Sequence, residues 1–400
     1  MINGVAVFSY RLATGLAKRG HEVMVITPSQ DTKFHTKSVD GVNVVYLKSS
    51  DVKVYPDQIH EVPEKKKFFY KHGLKASFFP NSQVKRMLDV FRPDIVHVQA
   101  ADPIGVAVVS YARKRRIPVV TTEHNQPEVF TEPLHVPGVM RKPINNILSA
   151  YFRNRQKKSD YVTMPTQLAI DCLLQRKDLG VPVEAVSNGV DLTVFKPGKP
   201  DKSIYNKYKI PTNVPILLYV GRVDPEKRVG AVVEAFRLFL DKHKLDELSK
   251  VCLVVVGDGV DKSRLETQVF RLGISDSVKF LGRVMPPDLY EIYRIGDVFV
   301  TASEIETQGI VLIEAAASGL PLIAVNGGAV AEICKNEVNG RLLDTGDPRL
   351  MAEAMADILT DDKKRVLMAQ NSIKIAEMHD FSRTLDKFLE IYQKVVAKKR

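Results

Sequence analysis

Cysteine is scarce in this sequence. The three cysteines, Cys172, Cys252 and Cys334, lie far apart, and none belongs to a Cys-X-X-Cys pair. Their odd number and wide spacing argue against a disulfide framework and against a cysteine-ligated zinc site. Such sparse use of cysteine is typical of proteins in a reducing compartment, so we predict a cytoplasmic location.

Long apolar runs are absent as well. No run approaches the roughly 18 to 20 residues that a membrane-spanning helix needs, and the start of the sequence lacks the pattern of a secretory signal peptide. Hydrophobic residues make up 44% and charged residues 26% of the 400 residues, which is ordinary for a soluble globular protein. This length predicts two domains, each large enough for its own core.

Two common phosphate-binding motifs are also missing. The pattern GxxxxGK[ST] does not occur, which excludes a P-loop NTPase. Residues 257–259 place Gly-Asp-Gly after a strand-like run, but the third glycine of a dinucleotide fingerprint is absent. The sequence therefore does not predict NAD binding.

Positive charge is concentrated in the first half of the chain. Residues 1–200 contain 29 Lys and Arg against 18 Asp and Glu, whereas residues 201–400 contain 29 of each kind. The whole net charge of +11 therefore lies in residues 1–200. A one-sided positive field indicates an anionic partner, such as a nucleic acid, a membrane surface or a phosphorylated substrate. A charge run that only solvates its own face is the alternative.

Strand-like apolar runs alternate with amphipathic helical stretches along the chain, which predicts an α/β fold with parallel sheets. A stretch rich in Pro, Gly and Lys at 190–200 interrupts the alternation, which restarts at residue 215. We predict two Rossmann-like domains facing a cleft, one over 1–195 and one over 196–381. Ligands of such domains bind at the carboxyl ends of the strands.

The beginning of the sequence departs from this pattern. It reads as a loop, a helix and then a strand, whereas a doubly wound domain places a strand before that helix. Only Met1 and Ile2 precede the loop. We interpret the missing strand as truncation or a misassigned start, because loss of a central strand would leave two sheet edges unpaired.

Cations follow the strand-like run that ends at Gly221. Arg222 and Lys227 lie in the sequence YVGRVDPEKRVG, on the loop that leads into the next predicted helix. An Arg fork and a Lys point charge near a helix N-terminus suit phosphate oxygens. Exposed loop cations without a ligand are the alternative.

Carboxylates and no cation lie in the sequence SEIETQGIVLIEAAASG, which follows another predicted strand. Glu306 precedes a predicted helix that starts near Gly309, and Glu314 lies just over one turn inside it. The free N–H groups of that first turn favour an anion, while the carboxylates accept hydrogen bonds from hydroxyl pairs. The pattern indicates a ligand with sugar, diphosphate and ribose parts; a capping Glu and a structural Glu are the alternative.

Together these motifs closely resemble the retaining glycosyltransferases of family 4, which have the GT-B fold. The resemblance rests on GRVDPEK, on the two glutamates of ETQGIVLIE, and on EAAASGLP after them. The segments HEVMVITP, RPDIVHVQ, IPVVTTEH, SNGVD and FLGRV follow one another in the order that the family shows. The resemblance covers almost the whole chain.

The resemblance implies a role for each matching residue. Arg222 and Lys227 would bind the donor diphosphate and offset the charge that develops on the leaving group. Glu314 would hold the ribose hydroxyls, and Glu306 would face the transferred sugar. His124, at the end of IPVVTTEH, matches the active-site histidine that contacts the donor sugar.

Further contacts are implied by position in the motifs. The residues that would contact the sugar and phosphates are Gln308, Gly309 and Ile310, and those beside the nucleobase are Arg283 and Val284. Asn3 and Gly4 match the glycine loop that faces phosphate and acceptor. The C-terminal helix, about 382–400, would cross back onto the N-terminal domain.

The mechanism that the resemblance implies is front-face retention without a metal or another cofactor. The leaving diphosphate takes the acceptor proton while an oxocarbenium-like sugar is held in place. This agrees with the lack of an obvious nucleophilic carboxylate, since the two-carboxylate retaining scheme needs a pair roughly 5 Å apart. Arg222 and Lys227 would supply most of the stabilisation.

The acceptor is suggested by a basic and aromatic segment at 64–86. Its cations are Lys65, Lys66, Lys67, Lys71, Lys75, Lys85 and Arg86, and its aromatic residues are Phe68, Phe69, Tyr70, Phe78 and Phe79. This composition suits a segment that inserts rings at the level of lipid headgroups. The basic runs at 113–116 and 153–158 would enlarge the same patch.

Alternatives remain for this segment and for the whole chain. The aromatic residues pack into the core in one alternative and bind nucleic acid in another, although no nucleic-acid motif supports the second. We predict transfer from a nucleotide sugar, with UDP-glucose favoured, to a lipid such as diacylglycerol or phosphatidylinositol, on the inner face of the cell membrane. A soluble sugar or glycan acceptor, or a non-catalytic GT-B scaffold, is the alternative.

Overall fold

The computed structural model describes residues 4–52, 74–99, 102–124, 138–175, 177–243 and 250–399. The chain divides into two compact units, the first of Met1–Ser187 with Thr384–Arg400 and the second of Asn188–Arg383. The predicted boundary at residue 195 falls inside the second unit, because Val190 and Phe195 are buried in its core.

The described part of the first unit contains two sheets and a short ribbon. One sheet has the order β1-β3-β2, with β1 and β3 parallel and β2 antiparallel at the edge. The other is a parallel sheet with the order β6-β7-β8-β9, and β4 and β5 form the ribbon. The strands are β1 (Met24–Pro28), β2 (His35–Val39), β3 (Val42–Leu47), β4 (Ser50–Val52), β5 (Leu74–Ala76), β6 (Val96–Val98), β7 (Val119–Thr122), β8 (Tyr161–Met164) and β9 (Val183–Ala185).

Among the described residues, six helices belong mainly to this unit. They are α1 (Gly4–Lys18), α2 (Asn81–Phe91), α3 (Pro103–Arg115), α4 (Gly138–Gln156), α5 (Gln167–Leu174) and the C-terminal α14 (Phe381–Lys399). Local sequence explains where α3 begins: the Asp102 side chain accepts a hydrogen bond from the Gly105 N–H at 2.7 Å, and Pro103 takes the first helical position.

Helix α14 joins the first unit through an apolar stripe and a polar contact. Leu385, Phe388, Ile391 and Val395 recur at helical spacing and are buried. The Tyr392 hydroxyl lies 2.6 Å from His97 Nδ1 on β6. The chain therefore leaves the first unit after residue 187 and returns to it at residue 384.

The second unit is built on one six-stranded parallel sheet. Its strand order is β12-β11-β10-β13-β14-β15, and every pair in it is parallel. The strands are β10 (Ile216–Val220), β11 (Cys252–Val256), β12 (Val278–Gly282), β13 (Val298–Val300), β14 (Leu322–Val325) and β15 (Gly340–Leu343).

Helices cover both faces of this sheet. They are α6 (Ser203–Tyr208), α7 (Val229–Lys242), α8 (Lys262–Arg271), α9 (Asp288–Ile295), α10 (Ile310–Ala317), α11 (Val330–Ile333), α12 (Pro348–Leu359) and α13 (Asp362–Glu377). Strand β11 shows why its sequence is continuously apolar: Leu253 and Val255 enter one core, while Cys252, Val254 and Val256 enter the other. A strand covered on both faces has no side chain directed to solvent.

The strand order places a topological switch point between β10 and β13. These neighbours are paired at Leu217 with Val298 and at Leu218 with Phe299. Helix α7, which follows β10, packs in one core, whereas α10, which follows β13, packs in the other. The loops after the two strands therefore diverge from adjacent points at the carboxyl edge of the sheet, which is where open α/β sheets bind ligands.

No helix among the described residues is both long enough and apolar enough to span a bilayer.

Candidate active site

The loop after β10 carries the predicted phosphate-binding cations in a fixed arrangement. The backbone carbonyl of Arg222 accepts a hydrogen bond from the buried Tyr219 hydroxyl at 2.7 Å. The Arg222 guanidinium contacts the Asp224 carboxylate, and its Nη2 lies 2.6 Å from Glu226 Oε1. Burial raises the pKa of the Asp224 carboxyl, although Arg222 beside it acts in the opposite direction. Arg222 is thus oriented by two carboxylates of its own loop, which sequence reasoning missed.

Lys227 lies at the end of a short 3-10 turn, Pro225–Lys227, and reaches the other loop. Its Nζ lies 2.6 Å from Glu306 Oε1 and 3.3 Å from Ser303 Oγ. The Lys227 and Glu306 side chains are 16% and 17% exposed, so the pair is largely shielded from water. The structure therefore brings together two site residues that lie 79 positions apart in the sequence.

The backbone around Glu306 is held by the turn after β14. The Glu306 carbonyl accepts a hydrogen bond from the Ala329 N–H at 2.8 Å. Gly328 has a φ of +56°, and a Cβ there would lie 2.2 Å from the same carbonyl oxygen. Only glycine fits this close approach of two backbone segments. This support fixes the backbone that carries Glu306.

Helix α10 begins directly after this loop. Gly309 precedes its first residue with a φ of +76°, a conformation that glycine adopts without strain. Glu314 lies in the following turn, is 7% exposed, and accepts a hydrogen bond from the Tyr293 hydroxyl at 3.0 Å on Oε2. Tyr293 therefore orients the second predicted glutamate, and nothing in the sequence indicated that partner.

Other donor-site residues have structural contacts that sequence reasoning did not predict. Gln308 is buried, and its Oε1 accepts a hydrogen bond from the Asn188 N–H at 3.0 Å. Ile310 opens α10 and is partly buried. Val284 is buried in the core of the second unit, whereas the neighbouring Arg283 is exposed. The Val284 side chain thus packs in the core. Only the backbone of Val284 can contact a nucleobase.

His124 lies in the first unit, just after β7. It is buried, its Nε2 lies 2.8 Å from Gln99 Oε1, and its ring packs against Phe8 with centroids 5.1 Å apart. Burial lowers the pKa of His124 to about 4, so the ring is neutral near pH 7. Since Gln99 Oε1 can only accept, Nε2 carries the proton and Nδ1 is left as an acceptor.

The remaining predicted contacts lie at or beyond the edges of the described chain. Gly4 is the first residue of α1 and is exposed, while Asn3 lies outside the described residues. Of the predicted membrane contacts, Lys75 lies on β5. The others lie outside the described residues and are Lys65, Lys66, Lys67, Phe68, Phe69 and Lys71.

The basic run at 153–158 is not a continuous surface patch. Arg153 and Gln156 are buried, and Arg153 Nη1 donates to the Leu173 carbonyl at 2.8 Å. The prediction that this run as a whole enlarges a basic surface is therefore wrong at these two positions. Within the part of the chain that the structure describes, no group of three or more His, Cys, Asp or Glu side chains is placed to hold a metal ion.

Comparison with known families agrees with this geometry. A sequence model described as "Glycosyltransferase Family 4" matches residues 2–194, and one described as "Glycosyl transferases group 1" matches residues 200–375. The chain is a family 4 glycosyltransferase. The glycosyltransferase is an enzyme of the hexosyltransferase class, and its two matched regions agree closely with the two structural units.

The glycosyltransferase is similar to several curated relatives and solved structures. It is 29% identical to an alpha-monoglucosyldiacylglycerol synthase of Streptococcus pneumoniae, over 81% of this chain and 68% of the relative. It is 27% identical to a GDP-mannose-dependent alpha-mannosyltransferase of Mycobacterium tuberculosis, over 93% and 88%. A sucrose-phosphate synthase structure from Thermosynechococcus elongatus superposes with a TM-score of 0.76 at 19% identity, covering 99% of this chain and 94% of that chain. The fold is GT-B, as predicted.

Proposed function

We propose that this glycosyltransferase moves a sugar from a nucleotide-diphosphate sugar to a membrane lipid, with retention of configuration. UDP-glucose is the favoured donor and diacylglycerol the favoured acceptor. The observation that carries the proposal is the contact of Lys227 with Glu306 at the ends of two neighbouring strands. This contact puts a cation suited to phosphate beside a carboxylate suited to sugar hydroxyls.

Each part of the proposed site has a separate task. The diphosphate contacts Lys227 and Arg222, the ribose hydroxyls contact Glu314, and the transferred sugar contacts Glu306. In the first unit, His124 is kept neutral by burial and offers Nδ1 as an acceptor for a hydroxyl group. The backbone N–H groups at the start of α10 add donors for phosphate oxygens.

In the proposed reaction the bond between the sugar and the diphosphate breaks, and a bond from the acceptor oxygen to the same carbon forms on the same face. The acceptor proton passes to the leaving phosphate oxygen. Negative charge grows on the diphosphate as the bond breaks, and Lys227 and Arg222 stabilise it. Since these cations supply the compensating charge, we propose that no metal takes part.

The donor assignment follows the relatives. The Streptococcus pneumoniae relative is named for a glucosyl lipid, whereas the Mycobacterium tuberculosis relative is named for GDP-mannose. We therefore take UDP-glucose first and GDP-mannose second. A soluble sugar or glycan is the second candidate acceptor, since a further relative from Saccharomonospora viridis, 26% identical, is named D-inositol 3-phosphate glycosyltransferase.

Exposed aromatic residues support the lipid acceptor. Phe78 and Phe79, which follow β5, are 55% and 91% exposed. The alternative that the aromatic residues of 64–86 pack into the core is therefore wrong for these two. Lys75 lies on the preceding strand, and Lys85 and Arg86 are exposed on α2. Rings beside cations suit contact with anionic lipid headgroups.

Helix α4 adds a second surface of the same character. Its sequence contains no Asp or Glu, and the exposed residues Met140, Ile147 and Tyr151 recur at helical spacing along one face. The exposed Lys142 lies near the start of the helix, and Arg155 lies over the Tyr151 ring at 5.4 Å. We propose peripheral attachment to an anionic membrane through this face and the Phe78–Phe79 pair.

The experiment is a two-step assay. Nucleotide sugars are first ranked by the thermal shift that each causes. Transfer of labelled sugar is then measured with vesicles that contain diacylglycerol in anionic or in zwitterionic lipid, and with soluble sugars. We expect one donor to shift the melting temperature and transfer to be faster on anionic vesicles. Transfer to soluble sugars alone would mean that the acceptor is a soluble sugar and not a lipid. No transfer with any donor would favour a non-catalytic GT-B scaffold.

A further inference from the structure

The donor loops contain a surplus of negative charge. Three cations of the loop after β10 each contact a carboxylate: Arg222 contacts Asp224 and Glu226, Lys227 contacts Glu306, and Arg228 contacts Glu304. Four carboxylates thus surround three cations at a site proposed to take an anion. A diphosphate gains little from cations that are already neutralised, so at least one of these contacts must change when it binds.

Only some of these contacts are free to exchange. Arg222 is held by residues two and four positions along its own loop, so its partners travel with it. Lys227, by contrast, is held by a side chain from the other loop. The Glu306 backbone is fixed by Ala329 and Gly328, so its carboxylate can leave Lys227 by rotation of the side chain alone.

The two ends of a nucleotide sugar match the two halves of this ion pair. A phosphate oxygen can replace the Glu306 carboxylate on the Lys227 ammonium, and sugar hydroxyls can then donate to the displaced carboxylate. A nucleoside diphosphate without the sugar supplies only the first replacement. Glu306 would then remain partly buried next to a second anion, without the hydroxyl donors that satisfied it.

We propose that Glu306 competes with the product diphosphate for Lys227, and so makes the enzyme hold the nucleotide sugar more tightly than the nucleoside diphosphate that it releases. This inference rests on the proposed function, because it assigns Lys227 to the diphosphate. After transfer, the sugar hydroxyls leave with the product, Glu306 returns to Lys227, and the diphosphate is expelled. Glu306 is then a product-release residue as well as a sugar contact.

The test is titration calorimetry of UDP and GDP with the wild-type protein and with Glu306→Gln. The amide keeps the size of the side chain but no longer competes as an anion. We expect Glu306→Gln to bind the accepted diphosphate about fivefold more tightly, as removal of a partly shielded ion-pair competitor predicts. The ratio of nucleotide-sugar affinity to diphosphate affinity should decrease in the same variant.

Glu304→Gln is the matched control, because Glu304 lies on the same loop and contacts Arg228 rather than Lys227. It should change diphosphate affinity by less than twofold. Equal tightening in both variants would mean a general charge effect and would overturn the inference, as would no tightening in Glu306→Gln. If Glu306→Gln does not fold, Glu306→Asp serves instead, since the shorter side chain withdraws from Lys227 and should also tighten diphosphate binding.

Two kinds of failure are distinguishable. Binding of neither nucleotides nor nucleotide sugars by the wild-type protein would overturn both the proposed function and this inference. Normal diphosphate binding that Glu306→Gln leaves unchanged would overturn the inference alone.

Discussion

The two units differ in the charge of their functional side chains. In the second unit, the loops after β10 and β13 carry seven charged side chains that pair with one another around Lys227 and Glu306. In the first unit, His97 and His124 are hydrogen-bonded and uncharged: removal from water lowers the pKa of His97 to about 3 and that of His124 to about 4. Ion pairs in the second unit can exchange partners, whereas the first unit holds neutral imidazole rings in place.

This difference agrees with the chemistry proposed for each unit. A diphosphate binds to fixed cations, and we propose that a competing anion helps it to leave. In the first unit, a neutral ring nitrogen can accept a hydrogen bond from a hydroxyl group without adding charge. Charge substitutions should therefore act strongly in the second unit, whereas the first unit should respond chiefly to pH and to loss of single hydrogen bonds.

The largest effect is expected for Lys227→Ala. Loss of this cation removes stabilisation of the leaving diphosphate, so sugar transfer should fall about 100-fold or more. The measurement is initial rate with the best donor and acceptor. Lys335→Ala is the control, because Lys335 is exposed in the second unit and its Nζ donates a hydrogen bond to the Ala331 carbonyl of α11. Transfer by Lys227→Ala at near wild-type rate would show that Lys227 does not act in the donor site.

The next effect is a loss of stability in acid that depends on His124. Its pKa in the folded state is about 4, below the usual value of 6.5, so the unfolded chain binds more protons between those values. Stability is therefore complete above pH 6.5 and falls as pH drops toward 4, by about 1.4 kcal/mol per pH unit. Thermal unfolding between pH 7 and pH 4.5 should show a shallower fall in His124→Gln.

The exposed His21 supplies the control for this prediction. His21→Gln should keep the wild-type dependence of melting temperature on pH. An identical dependence in His124→Gln and the wild type would contradict the account of a neutral, buried ring.

A smaller effect is expected where a glycine supports the Glu306 backbone. The Cβ of Gly328→Ala would lie 2.2 Å from the Glu306 carbonyl oxygen, so the loop must shift. Transfer should fall about tenfold, because a displaced contact loses its orientation. Gly273→Ala is the matched control, since Gly273 also has a positive φ, +68°, but open space around the added Cβ. Equal activity loss in both variants would show a backbone effect and not a specific support of Glu306.

The smallest effect is expected for Tyr392→Phe. The variant removes the hydroxyl that lies 2.6 Å from His97 Nδ1 and leaves that nitrogen without its partner. Unfolding in urea should show a loss of about 1 to 2 kcal/mol. Tyr151→Phe, at an exposed position on α4, should change stability by less than about 0.5 kcal/mol. If Tyr392→Phe lost as little stability as Tyr151→Phe, the contact between Tyr392 and His97 would not help to hold α14.

Much of the fold could be predicted from the sequence because buried parallel strands are continuous apolar runs. The runs PILLYVGR (215–222) and VCLVVVGDG (251–259) predicted β10 and β11 to within three residues at each end. The hairpin strand β2, whose sequence HTKSV is mostly polar and exposed, carries no such signal and was missed. Helix α4 was also missed, since exposed apolar residues such as Ile147 and Tyr151 interrupt the usual amphipathic pattern.

The site was predictable in its residue types but not in its contacts. The cations of GRVDPEK and the glutamates of ETQGIVLIE indicated a shared ligand before any strand order was known. Their direct pairing depends on β10 lying beside β13, which sequence spacing does not reveal. The use of Gln308 to hold Asn188, and the burial of Val284, depend on tertiary packing in the same way.

The role of Lys227 in donor binding is tested by calorimetric titration of UDP-glucose and GDP-mannose into the wild-type protein and Lys227→Ala. We expect one nucleotide sugar to bind the wild type with one site per chain. Lys227→Ala should bind the same ligand at least about tenfold more weakly, because the diphosphate loses its principal point charge. Equal affinity in both proteins, or binding of neither ligand to the wild type, would contradict this role.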